Sequence, residues 1–413
     1  MKILLINSGS SSLKFTFADV DTSTEIVASG LAEFSQNETA YQFEHGDNKN
    51  KSTLNTIDYG KVVGQILEDL KTHLGLTPEI VGHRVVHGGD FKKPEVITPE
   101  IEKRIDELAE LAPLHNPFAL NAIRSIKAIL PTVTQFAVFD TAFHSTIPDH
   151  AKRYPIPEKW YSEWKIQRYG FHGLSHAWNA KKALELCGDR ADKTVILHLG
   201  NGCSATAVHK GKSVETTMGF TPMEGLTMGT RSGSIDPGIL LYLLRSKGMD
   251  VEKLNTALNK QSGLLGISGK HSDMRQIVES ANIGDENAKL AMEIFAYKAR
   301  QSIGQLSASM GGIDLLVFTG GIGENATEIR GLICKDLEFL GLNLDHDLNE
   351  NCKPDTCIST PDSKNLIYVI KTQEELMMIE EIKKASWLPP QPFLDIGIKT
   401  RLIYERFKAF KET

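Results

Sequence analysis

Apolar residues along the first part of the chain predict a mixture of strands and helices. Short apolar-rich runs predict strands over 2–7, 13–19 and 25–34. Residues 61–74 carry apolar side chains at helical spacing, which predicts a helix ending at Gly75; these side chains are Val62, Val63, Ile66, Leu67, Leu70 and Leu74. The first part of the chain therefore contains both kinds of element.

Two prolines mark further helix starts, and a strand follows them. Thr98-Pro99 predicts a helix with a capping residue and a first-turn proline, and Asn116-Pro117 predicts another of the same kind. The run 133–139 predicts a strand that carries Asp140 at its C-terminal end. Strands separated by helical crossovers indicate an α/β fold.

The second half of the chain repeats this alternation. A long amphipathic helix is predicted from about 285 to 310, followed by a strand over 314–319. A strand over 366–371 precedes Thr372-Gln-Glu-Glu375, a capping-box pattern that predicts the start of a helix. The stretch 216–238, rich in Gly, Thr and Met, is too irregular for a single element.

Three turns made of small residues follow apolar strands. The first, Asn7 to Lys14, joins two predicted strands, the second is Gly200-Asn-Gly202, and the third is Thr319 to Asn325. Such turns present backbone N–H groups and hydroxyls to phosphate, and Lys14 adds a point charge. Each turn alone is also compatible with an ordinary hairpin. Together they favour a site that surrounds a polyphosphate and a nucleoside, and the repeated strand–turn–strand unit predicts two related halves.

Size and charge narrow the possible classes of function. The 413 residues are enough for two domains with sizeable cores. With a net charge of −6 and no long basic run, the chain is not expected to bind nucleic acid. No stretch is apolar for long enough to span a bilayer, and a strand at the N-terminus argues against a signal peptide. We therefore expect neither a membrane nor a nucleic acid as a partner.

The cysteines indicate a reducing compartment. There are five, scattered along the chain, which fits free thiols better than a disulfide framework. Cys352 and Cys357 are close enough to suggest half of a zinc site, but no second Cys/His pair follows at zinc spacing. We therefore expect a cytoplasmic protein, with a loop carrying two free thiols at this position.

Two arginines lie in glycine-flanked segments that suit oxyanion binding. They are Arg84, in Gly82–Gly89, and Arg231, in Met228–Pro237. Glycine lets a ligand approach the backbone while the planar guanidinium binds an oxyanion. Each arginine could instead lie at the surface and pair with a nearby carboxylate. The segment Arg168–His176 adds two histidines beside glycines, of which His176 is interpreted as structural.

Two acidic residues also have two interpretations. Asp140 lies where the end of a strand would place it in a ligand cleft, since ligands of α/β sheets bind outside the carboxyl ends of strands. An aspartate after a strand is also a common helix N-cap. Glu374 could similarly be no more than a first-turn acid favoured by the helix dipole.

Taken in order, these motifs resemble the acetate and propionate kinase family within the sugar kinase, heat-shock and actin superfamily. The resemblance runs from residue 2 to about residue 380, in the family's order and spacing, through eight segments: Leu4–Lys14, His83–Gly89, Phe139–His144, Arg168–His176, His198–Thr206, Met228–Pro237, Gly320–Asn325 and Thr372–Glu375. It implies two related α/β domains of the actin and sugar-kinase (ribonuclease H-like) type, with an active site in the cleft between them. The implied N-terminal domain is 1–148 with a helix from about 377 to 413 packed back on it. The implied C-terminal domain, 149–376, would hold the nucleotide.

The resemblance also implies roles for individual residues. The catalytic set would be Asp140, Arg231, Arg84 and His172, with both arginines also holding the substrate carboxylate and the transferring phosphoryl group. A small pocket would accept the substrate methyl group and would be lined by Val86, Leu114, Phe171 and Pro222. The nucleotide would contact Ser10, Ser12, Lys14, His198, Asn201, Gly202, Asp273, Met274, Arg275, Gly321, Ile322 and Asn325. Asn7 and Glu374 would help to hold Mg²⁺, with Mn²⁺ as an alternative.

The reaction implied by this resemblance is reversible, in-line transfer of a phosphoryl group from ATP to acetate, giving acetyl phosphate and ADP. A carboxylate acceptor is already ionised at neutral pH, so the reaction needs no strong general base. Catalysis can then rest on positioning and on charge neutralisation by arginine and Mg²⁺. Members of the family are usually homodimers, so we expect a homodimer.

The chain departs from the family pattern at two positions and at its end. Ser234 stands where the family usually has Asp, which removes one possible partner of Arg231, and Leu174 stands where it usually has Thr. The tail 386–413 does not resemble the family's ending. Val86 is typical of members that prefer acetate, although one methylene is worth only ~1–3 kcal/mol of discrimination.

Other functions remain open on the sequence alone. A kinase of the same fold could act on propionate or butyrate, or could use another phosphoryl donor such as pyrophosphate; the adenosine-pocket motifs favour ATP. A nucleotide-dependent clamp is the non-enzymatic alternative. It would need a peptide-binding domain, for which the chain has no spare length, and it would leave the two arginines unexplained.

Overall fold

A computed structural model describes residues 1–21 and 23–387 of the chain. Most of the tail 386–413, and with it the end of the helix implied from about 377 to 413, lies outside the described residues. In the described part, no helix has both the length and the apolar character needed to cross a membrane.

The first sheet has eight strands, built from the N-terminal part of the chain. Numbered in chain order they are β1 (Lys2–Ser8), β2 (Ser12–Asp19), β3 (Glu25–Phe34), β4 (Thr39–His45), β5 (Asn48–Leu54), β6 (Ile80–Val85), β7 (Glu95–Val96) and β8 (Thr134–Phe139). Their order across the sheet is β5-β4-β3-β2-β1-β6-β8-β7. β1 is antiparallel to β2 and parallel to β6, and β6 is parallel to β8.

The second sheet has six strands from the C-terminal part of the chain. They are β9 (Lys193–Leu199), β10 (Cys203–His209), β11 (Lys212–Thr216), β12 (Leu315–Thr319), β13 (Thr356–Cys357) and β14 (Leu366–Val369). Their order is β11-β10-β9-β12-β14-β13. β9 is antiparallel to β10 and parallel to β12, and β12 is parallel to β14.

The two sheets share one five-stranded plan. In the first sheet β3-β2-β1-β6-β8 has the order and strand directions that β11-β10-β9-β12-β14 has in the second. In both, a hairpin leaves the first strand of the half, and parallel strands follow on its other side. The prediction of an α/β fold with two related halves is therefore confirmed.

Helices connect and cover the strands. In chain order they are α1 (Tyr59–Leu74), α2 (Pro99–Glu107), α3 (Asn116–Ile129), α4 (Asp149–Lys152), α5 (Glu158–Ser162), α6 (Gly173–Cys187), α7 (Pro237–Ser246), α8 (Val251–Lys260), α9 (Gly263–Ser268), α10 (Met274–Asn282), α11 (Glu286–Met310), α12 (Gly320–Asn325), α13 (Thr327–Cys334), α14 (His346–Asn351) and α15 (Glu374–Trp387). Four 3-10 turns lie at Leu108–Glu110, Ala142–Thr146, Gly188–Ala191 and Glu338–Leu340.

Local sequence signals explain where several helices begin and end. α1 ends at Gly75, whose φ of 66° is the left-handed conformation that glycine adopts without strain. The hydroxyl of Thr98 accepts the N–H of Ile101 and caps α2. α11, the predicted long helix, ends at Gly311 with a φ of 66°. These boundaries lie within two residues of the predicted ones.

Two predicted caps were wrong. Asn116 is the first residue of α3 and not its cap; its side chain is buried, accepts the N–H of His87 (3.1 Å) and donates to the carbonyl of His87 (3.0 Å). Thr372 lies before α15, but its hydroxyl donates to Ser175 Oγ, 2.9 Å away. Both side chains bridge distant segments, because buried polar groups find the partners that tertiary packing offers.

The helix α15 returns the chain to the first sheet. Its residues Met377, Met378, Ile379 and Ile382 are buried in one cluster with residues of β1 and β8, including Ile3, Leu5, Phe136 and Val138. The second sheet packs on α11 through a separate cluster that includes Phe295, Ile303, Leu197 and Phe318. The five cysteines are free, as expected. The prediction that Cys352 and Cys357 share a loop was wrong for Cys357, which pairs with β14 as part of the edge strand β13.

Candidate active site

Arg84 and Asp140 are joined by a two-bond ion pair between neighbouring strands. Arg84 lies in β6 and Asp140 directly follows β8, its parallel neighbour. Arg84 Nε donates to Asp140 Oδ1 at 2.9 Å, and Arg84 Nη2 donates to Oδ2 at 2.7 Å. The third guanidinium nitrogen lies 3.2 Å from a carboxylate oxygen of Glu374, at the start of α15. This geometry orients the guanidinium through contacts on both sides.

The charges of this group depend on one another. Burial opposes the charge on Arg84, but the carboxylates of Asp140 and Glu374 outweigh it and raise the pKa of Arg84. Burial raises the pKa of Asp140, whereas the guanidinium of Arg84 acts in the opposite direction. Since Arg84 stays protonated and meets both carboxylate oxygens, the ionised form of Asp140 fits the pair. Arg84 keeps 15% of its side-chain surface exposed, so a ligand can still reach it.

Arg231 comes from the irregular stretch between β11 and α7. Its Nη1 donates to the carbonyl of Pro222 at 3.0 Å, and burial lowers its pKa. A Cβ atom on Gly202 would lie 3.8 Å from this Nη1 and 3.3 Å from Nε2 of His172. Glycine at this position therefore leaves the space that lets the second turn approach both groups.

The rings of His172 and His198 lie side by side in the second half of the site, with their planes inclined by 32°. Their ring centroids are 4.4 Å apart. Burial and the charge of Arg84 lower the pKa of His198 to about 4, and burial, His198 and Arg84 hold the pKa of His172 well below its usual value. Both imidazoles are therefore neutral at neutral pH. The effect of Arg84 on both rings also places this arginine of the first half beside histidines of the second.

His172 has an unusual backbone conformation. Its φ is 55° and its ψ is 27°, in the left-handed region, immediately before α6. Non-glycine residues in this region cost about 1–3 kcal/mol and occur mainly where the surrounding structure fixes them. The neighbouring Gly173 donates its N–H to the carbonyl of Asp140 at 2.9 Å, so the start of α6 is tied to the end of β8.

The residues assigned to the methyl pocket lie at different depths. Phe171 is fully buried, and Val86 is half-buried against the core of the second sheet. Pro222 is half-buried and bound through its carbonyl to Arg231. Leu114 is 41% exposed, in the loop before α3. His115, which sequence reasoning did not select, lies close enough to Arg231 and Arg84 that burial and their charges lower its pKa to about 4.

The first small-residue turn forms a β-hairpin between β1 and β2. Asn7 pairs with Lys14 across the hairpin, and Gly9 donates its N–H to the carbonyl of Ser12 at 2.8 Å. Ser10 is exposed, and Ser12 begins β2. The hydroxyl of Ser8 is buried and lacks a hydrogen-bond partner within residues 1–21 and 23–387. An exposed turn with free hydroxyls is compatible with a phosphate cradle.

The second turn meets the segment that carries Arg231. Gly229 donates its N–H to the carbonyl of Asn201 at 2.9 Å, and a Cβ on Gly229 would collide with the Asn201 side chain. The carbonyl of Ser272 also lies near this position, so the second turn approaches the segment before α10. The structure therefore brings together three stretches that are far apart in sequence.

The residues assigned to the adenosine pocket lie at the start of α10 and along α12, a short helix that the structure forms where the third turn was predicted. Asp273 caps α10 and pairs with Arg275, whose side chain is 86% exposed. Met274 instead points into the core, where it is 3% exposed. In α12, Asn325 donates to the carbonyl of Gly321 at 2.8 Å, and a Cβ on Gly321 would meet no atom within 4 Å. Ile322 is half-buried against the core of the second sheet.

The two residues assigned to the metal, Asn7 and Glu374, carry oxygen donors of the kind that Mg²⁺ prefers. One carboxylate and one amide oxygen are typical of Mg²⁺ sites in which substrate phosphates and water complete the coordination. Among the residues the structure describes, no three His, Cys, Asp or Glu side chains cluster as metal ligands. The oxygens of Asn7 and Glu374 are compatible with a cation whose coordination is completed by phosphates and water, and Glu374 also lies 3.2 Å from Arg84.

Several polar residues that sequence reasoning did not select connect these groups. Glu324 Oε1 accepts the N–H of Gly320 (3.0 Å) and the N–H of Thr372 (3.1 Å), which ties the third turn to the start of α15. Ser204 contacts the ring of His172, and Ser175 contacts the ring of His198. Their only sequence signal was their place inside the quoted motifs, since serine has no distinctive spacing.

The two residues that depart from the family pattern, Ser234 and Leu174, make only simple contacts. Ser234 is exposed, and its hydroxyl accepts the N–H of Gly225 at 3.0 Å. Leu174 is buried in the cluster that joins α6, α15 and the first sheet. The serine makes a local turn contact, and the leucine adds apolar packing.

Comparison with known proteins identifies the family. A model of the acetokinase family matches residues 2–380. The acetate kinase of Carboxydothermus hydrogenoformans is 45% identical over 392 residues, which cover 92% of this chain and 98% of that protein. The acetate kinase of Thermoanaerobacterium thermosaccharolyticum is 44% identical over 395 residues, covering 93% of this chain and 98% of that protein.

Solved structures agree with these matches. A propionate kinase from Francisella tularensis subsp. tularensis SCHU S4 superposes with a TM-score of 0.87 at 42% identity, covering 92% of this chain and 98% of that one. The acetate kinase of Porphyromonas gingivalis gives a TM-score of 0.86 at 37% identity, with 93% and 99% covered. The resemblance expected from the motifs is confirmed, and the chain belongs to the acetokinase family of enzymes.

Proposed function

We propose that this enzyme transfers the terminal phosphoryl group of ATP directly to acetate, reversibly, giving acetyl phosphate and ADP. A carboxylate oxygen of acetate would bond to the γ-phosphorus as the bond from that phosphorus to the β–γ bridging oxygen breaks. The observation that carries the proposal is the convergence of two guanidinium groups, Arg84 and Arg231, and two neutral imidazoles, His172 and His198, beside glycine turns.

The charges in the site suit phosphoryl transfer to a carboxylate. Acetate is ionised at neutral pH, so no residue has to remove a proton from it. His172 and His198 have pKa values too low for them to carry a positive charge, and they would act as neutral hydrogen-bond donors. Arg84 and Arg231 would supply the positive charge that the transition state requires.

The remaining groups would position the substrates. Arg84 would keep its contacts with Asp140 and Glu374 while it binds acetate or the moving phosphoryl group. Charge on the nucleotide phosphates would be neutralised in part by Mg²⁺ or Mn²⁺, held by Asn7 and Glu374. The three glycine turns would surround the nucleotide, with the sites of Lys14, Asn201 and Asn325 on different sides.

The size of the acid is the second part of the proposal. Val86, Phe171 and Pro222 would limit the pocket to a methyl group, which favours acetate. Propionate is the second candidate, since a propionate kinase is 42% identical to this chain. One methylene is worth ~1–3 kcal/mol in such a pocket, so slow use of propionate is expected.

A hydroxylamine trap for acyl phosphates tests the proposal. Purified enzyme is incubated with ATP, Mg²⁺ and acetate, propionate or butyrate, and the hydroxamate is measured against controls without acid and with EDTA. We expect the highest kcat/KM with acetate and no product without the cation. A higher kcat/KM with propionate or butyrate would make the longer acid the preferred substrate. No product with any of the three acids would contradict the proposal. A phosphorylated enzyme that forms and decays at the rate of turnover would contradict direct transfer.

We further infer that the enzyme works as a cytoplasmic homodimer. Five free cysteines support a reducing compartment. Helix α7 supports the dimer, because none of its residues is buried and its apolar side chains Ile239, Leu241 and Tyr242 are each about half exposed, as expected of a surface that binds a partner. Replacing Leu241 with Asp should shift the enzyme toward monomer in sedimentation velocity. A wild-type enzyme that sediments as a monomer would contradict the inference.

A further inference from the structure

Two hydrogen-bonded side chains, Ser204 and His176, lie behind the ring of His172. Nδ1 of His172 lies 2.9 Å from Ser204 Oγ, and Nε2 of His176 lies 2.7 Å from the same oxygen. Ser204 and His176 are completely buried, in β10 and α6 respectively. The other ring nitrogen of His172, Nε2, faces the opposite way, toward Gly202 and Arg231. The serine therefore touches the side of the ring that points away from the candidate phosphoryl site.

The surroundings of His176 determine which of its two ring nitrogens carries the proton. Nδ1 of His176 is buried and lacks a hydrogen-bond partner within the described ranges. A buried N–H without an acceptor is rarer than a buried acceptor with a free lone pair. His176 is neutral, because burial and the neighbouring histidines hold its pKa well below the usual value, so it carries one ring proton. That proton belongs on Nε2, which donates to Ser204.

The hydroxyl of Ser204 in turn determines the tautomer of His172. Ser204 has one hydroxyl proton, and its oxygen already accepts from His176. Within the described residues Ser204 Oγ contacts no polar partner besides these two ring nitrogens, so its proton has only Nδ1 of His172 to bind, and that nitrogen is the unprotonated one. Because His172 is also neutral, its single proton lies on Nε2, toward Arg231. The opposite arrangement would leave a lone pair facing the negatively charged phosphoryl oxygens.

A second pair of side chains does the same for His198. Thr372 donates its hydroxyl to Ser175 Oγ at 2.9 Å, and Ser175 Oγ lies 2.7 Å from Nδ1 of His198. Ser175 Oγ accepts from Thr372 and, at 3.5 Å, from Nδ2 of Asn179, which fills both of its lone pairs. Its own proton therefore goes to Nδ1 of His198, and the proton of His198 lies on Nε2. Two serines on different elements thus each donate a hydrogen bond to Nδ1 of one of the two adjacent histidine rings.

We propose that Ser204 and Ser175 are positioning residues that hold His172 and His198 as neutral tautomers with the proton on Nε2, so that both rings donate N–H bonds to the phosphoryl oxygens. The orientation of the Ser204 hydroxyl depends in turn on His176, whose Nε2–H donates a hydrogen bond to Ser204 Oγ. This inference rests on the proposed phosphoryl transfer for its consequence, but its structural content concerns the free enzyme and can be tested without substrate.

Nitrogen NMR of the full-length enzyme labelled with 15N-histidine tests the tautomers directly. The 15N shift separates a protonated ring nitrogen from a bare one, and His172→Gln identifies the signals of His172 by their loss. We expect a protonated Nε2 and a bare Nδ1 for His172 in the wild-type enzyme. A bare Nε2, or a doubly protonated ring at neutral pH, would overturn the proposal whatever the activity.

Ser204→Ala tests the consequence, and Ser213→Ala is its matched control. Ser213 is equally buried and lies 2.9 Å from Nδ1 of His144, but Nε2 of His144 is bound to the carbonyl of Phe171 and not directed at the cleft. We expect Ser204→Ala to lower kcat at least about tenfold and to leave KM little changed. The loss should stay below the about 10²–10³-fold fall in kcat that is typical of removing a whole oxyanion donor. Ser213→Ala should leave kcat nearly unchanged.

The remaining outcomes are also decisive. Equal kcat values for the Ser204 and Ser213 variants, or an unchanged His172 tautomer in Ser204→Ala, would overturn the role of Ser204. His176→Gln, which keeps an N–H donor, should retain more activity than His176→Leu, and equal losses would reduce His176 to packing. If the wild-type enzyme phosphorylates no acid, the proposed function fails, and the tautomers measured by NMR still decide this inference.

Discussion

Asp140 and Arg84 face each other across two parallel strands, and each oxygen of the carboxylate meets a different guanidinium nitrogen, at 2.9 and 2.7 Å. Because Glu374 binds the same guanidinium from α15, the pair also links the first sheet to the last described helix. A single guanidinium thus connects three segments that are far apart in sequence. Changes at either residue should affect both stability and activity.

Asp140→Asn should destabilise the enzyme by about 3 kcal/mol, because it leaves a buried guanidinium with one carboxylate fewer. Denaturant unfolding followed by fluorescence measures the change. The matched control is Asp106→Asn, which breaks a 3.2 Å contact with Arg124 at the surface. That variant should lose less than about 1 kcal/mol. Equal midpoints for the two variants would show that the Arg84 pair adds no stability.

Arg231→Ala should lower kcat by about 10³–10⁵, the range for losing an arginine that neutralises charge in phosphoryl transfer. The loss should appear in kcat more than in KM, since the arginine acts on charge that develops in the transition state. The hydroxylamine assay gives both values. Arg153→Ala is the control, because its guanidinium stacks on Tyr161 at the surface. Near-normal turnover of the Arg231 variant would refute its assigned role.

Val86→Ala should raise kcat/KM for propionate relative to acetate by about tenfold, since one methylene is worth ~1–3 kcal/mol in such a pocket. Parallel assays with the two acids measure the ratio. Val214→Ala provides the control, because Val214 is half-buried against the same core but has no assigned place in the site. A similar shift in both variants would mean that the ratio responds to loosened packing and not to the pocket.

Ser234→Asp, which restores the residue usual in the family, should leave kcat nearly unchanged, because exposed substitutions away from special contacts usually alter the free energy of unfolding by less than about 0.5 kcal/mol. The hydroxyl of Ser234 is exposed and accepts only a turn N–H from Gly225, a bond that a carboxylate can also accept. Kinetics with acetate and ATP test this. A gain of tenfold or more would show that the missing carboxylate does position Arg231.

The buried histidines should make stability fall as the pH is lowered below about 6.5. Burial lowers the pKa of His83, His144 and His198 to about 4. Between pH 6.5 and 4 the unfolded chain therefore binds protons that the folded chain does not, which favours unfolding as pH falls. Each group contributes up to about 1.4 kcal/mol per pH unit inside this window. Melting temperatures at pH 7, 6 and 5 check the effect, and an unchanged value at pH 5 would contradict it.

Local structure could be predicted well where the signal lies in neighbouring residues. The helical spacing of residues 62–74 with Gly75, and the Thr98-Pro99 start, correctly predicted α1 and α2. The repeated turn predicted two related halves, which the matching strand orders confirm. The caps assigned to Asn116 and Thr372 were wrong, because each side chain found a buried partner from another segment.

The sequence by itself determined the α/β class, the two halves, the family and the residue types able to bind phosphate, because these depend on short-range patterns and ordered motifs. Only the tertiary structure decided which polar groups meet: Arg84 with both Asp140 and Glu374, and the serines behind His172 and His198. Those contacts join β6 to β8 and α15, and α6 to β9 and β10. Hydrogen bonds require distances near 3 Å, and a one-dimensional pattern carries no information about which distant residues packing brings that close.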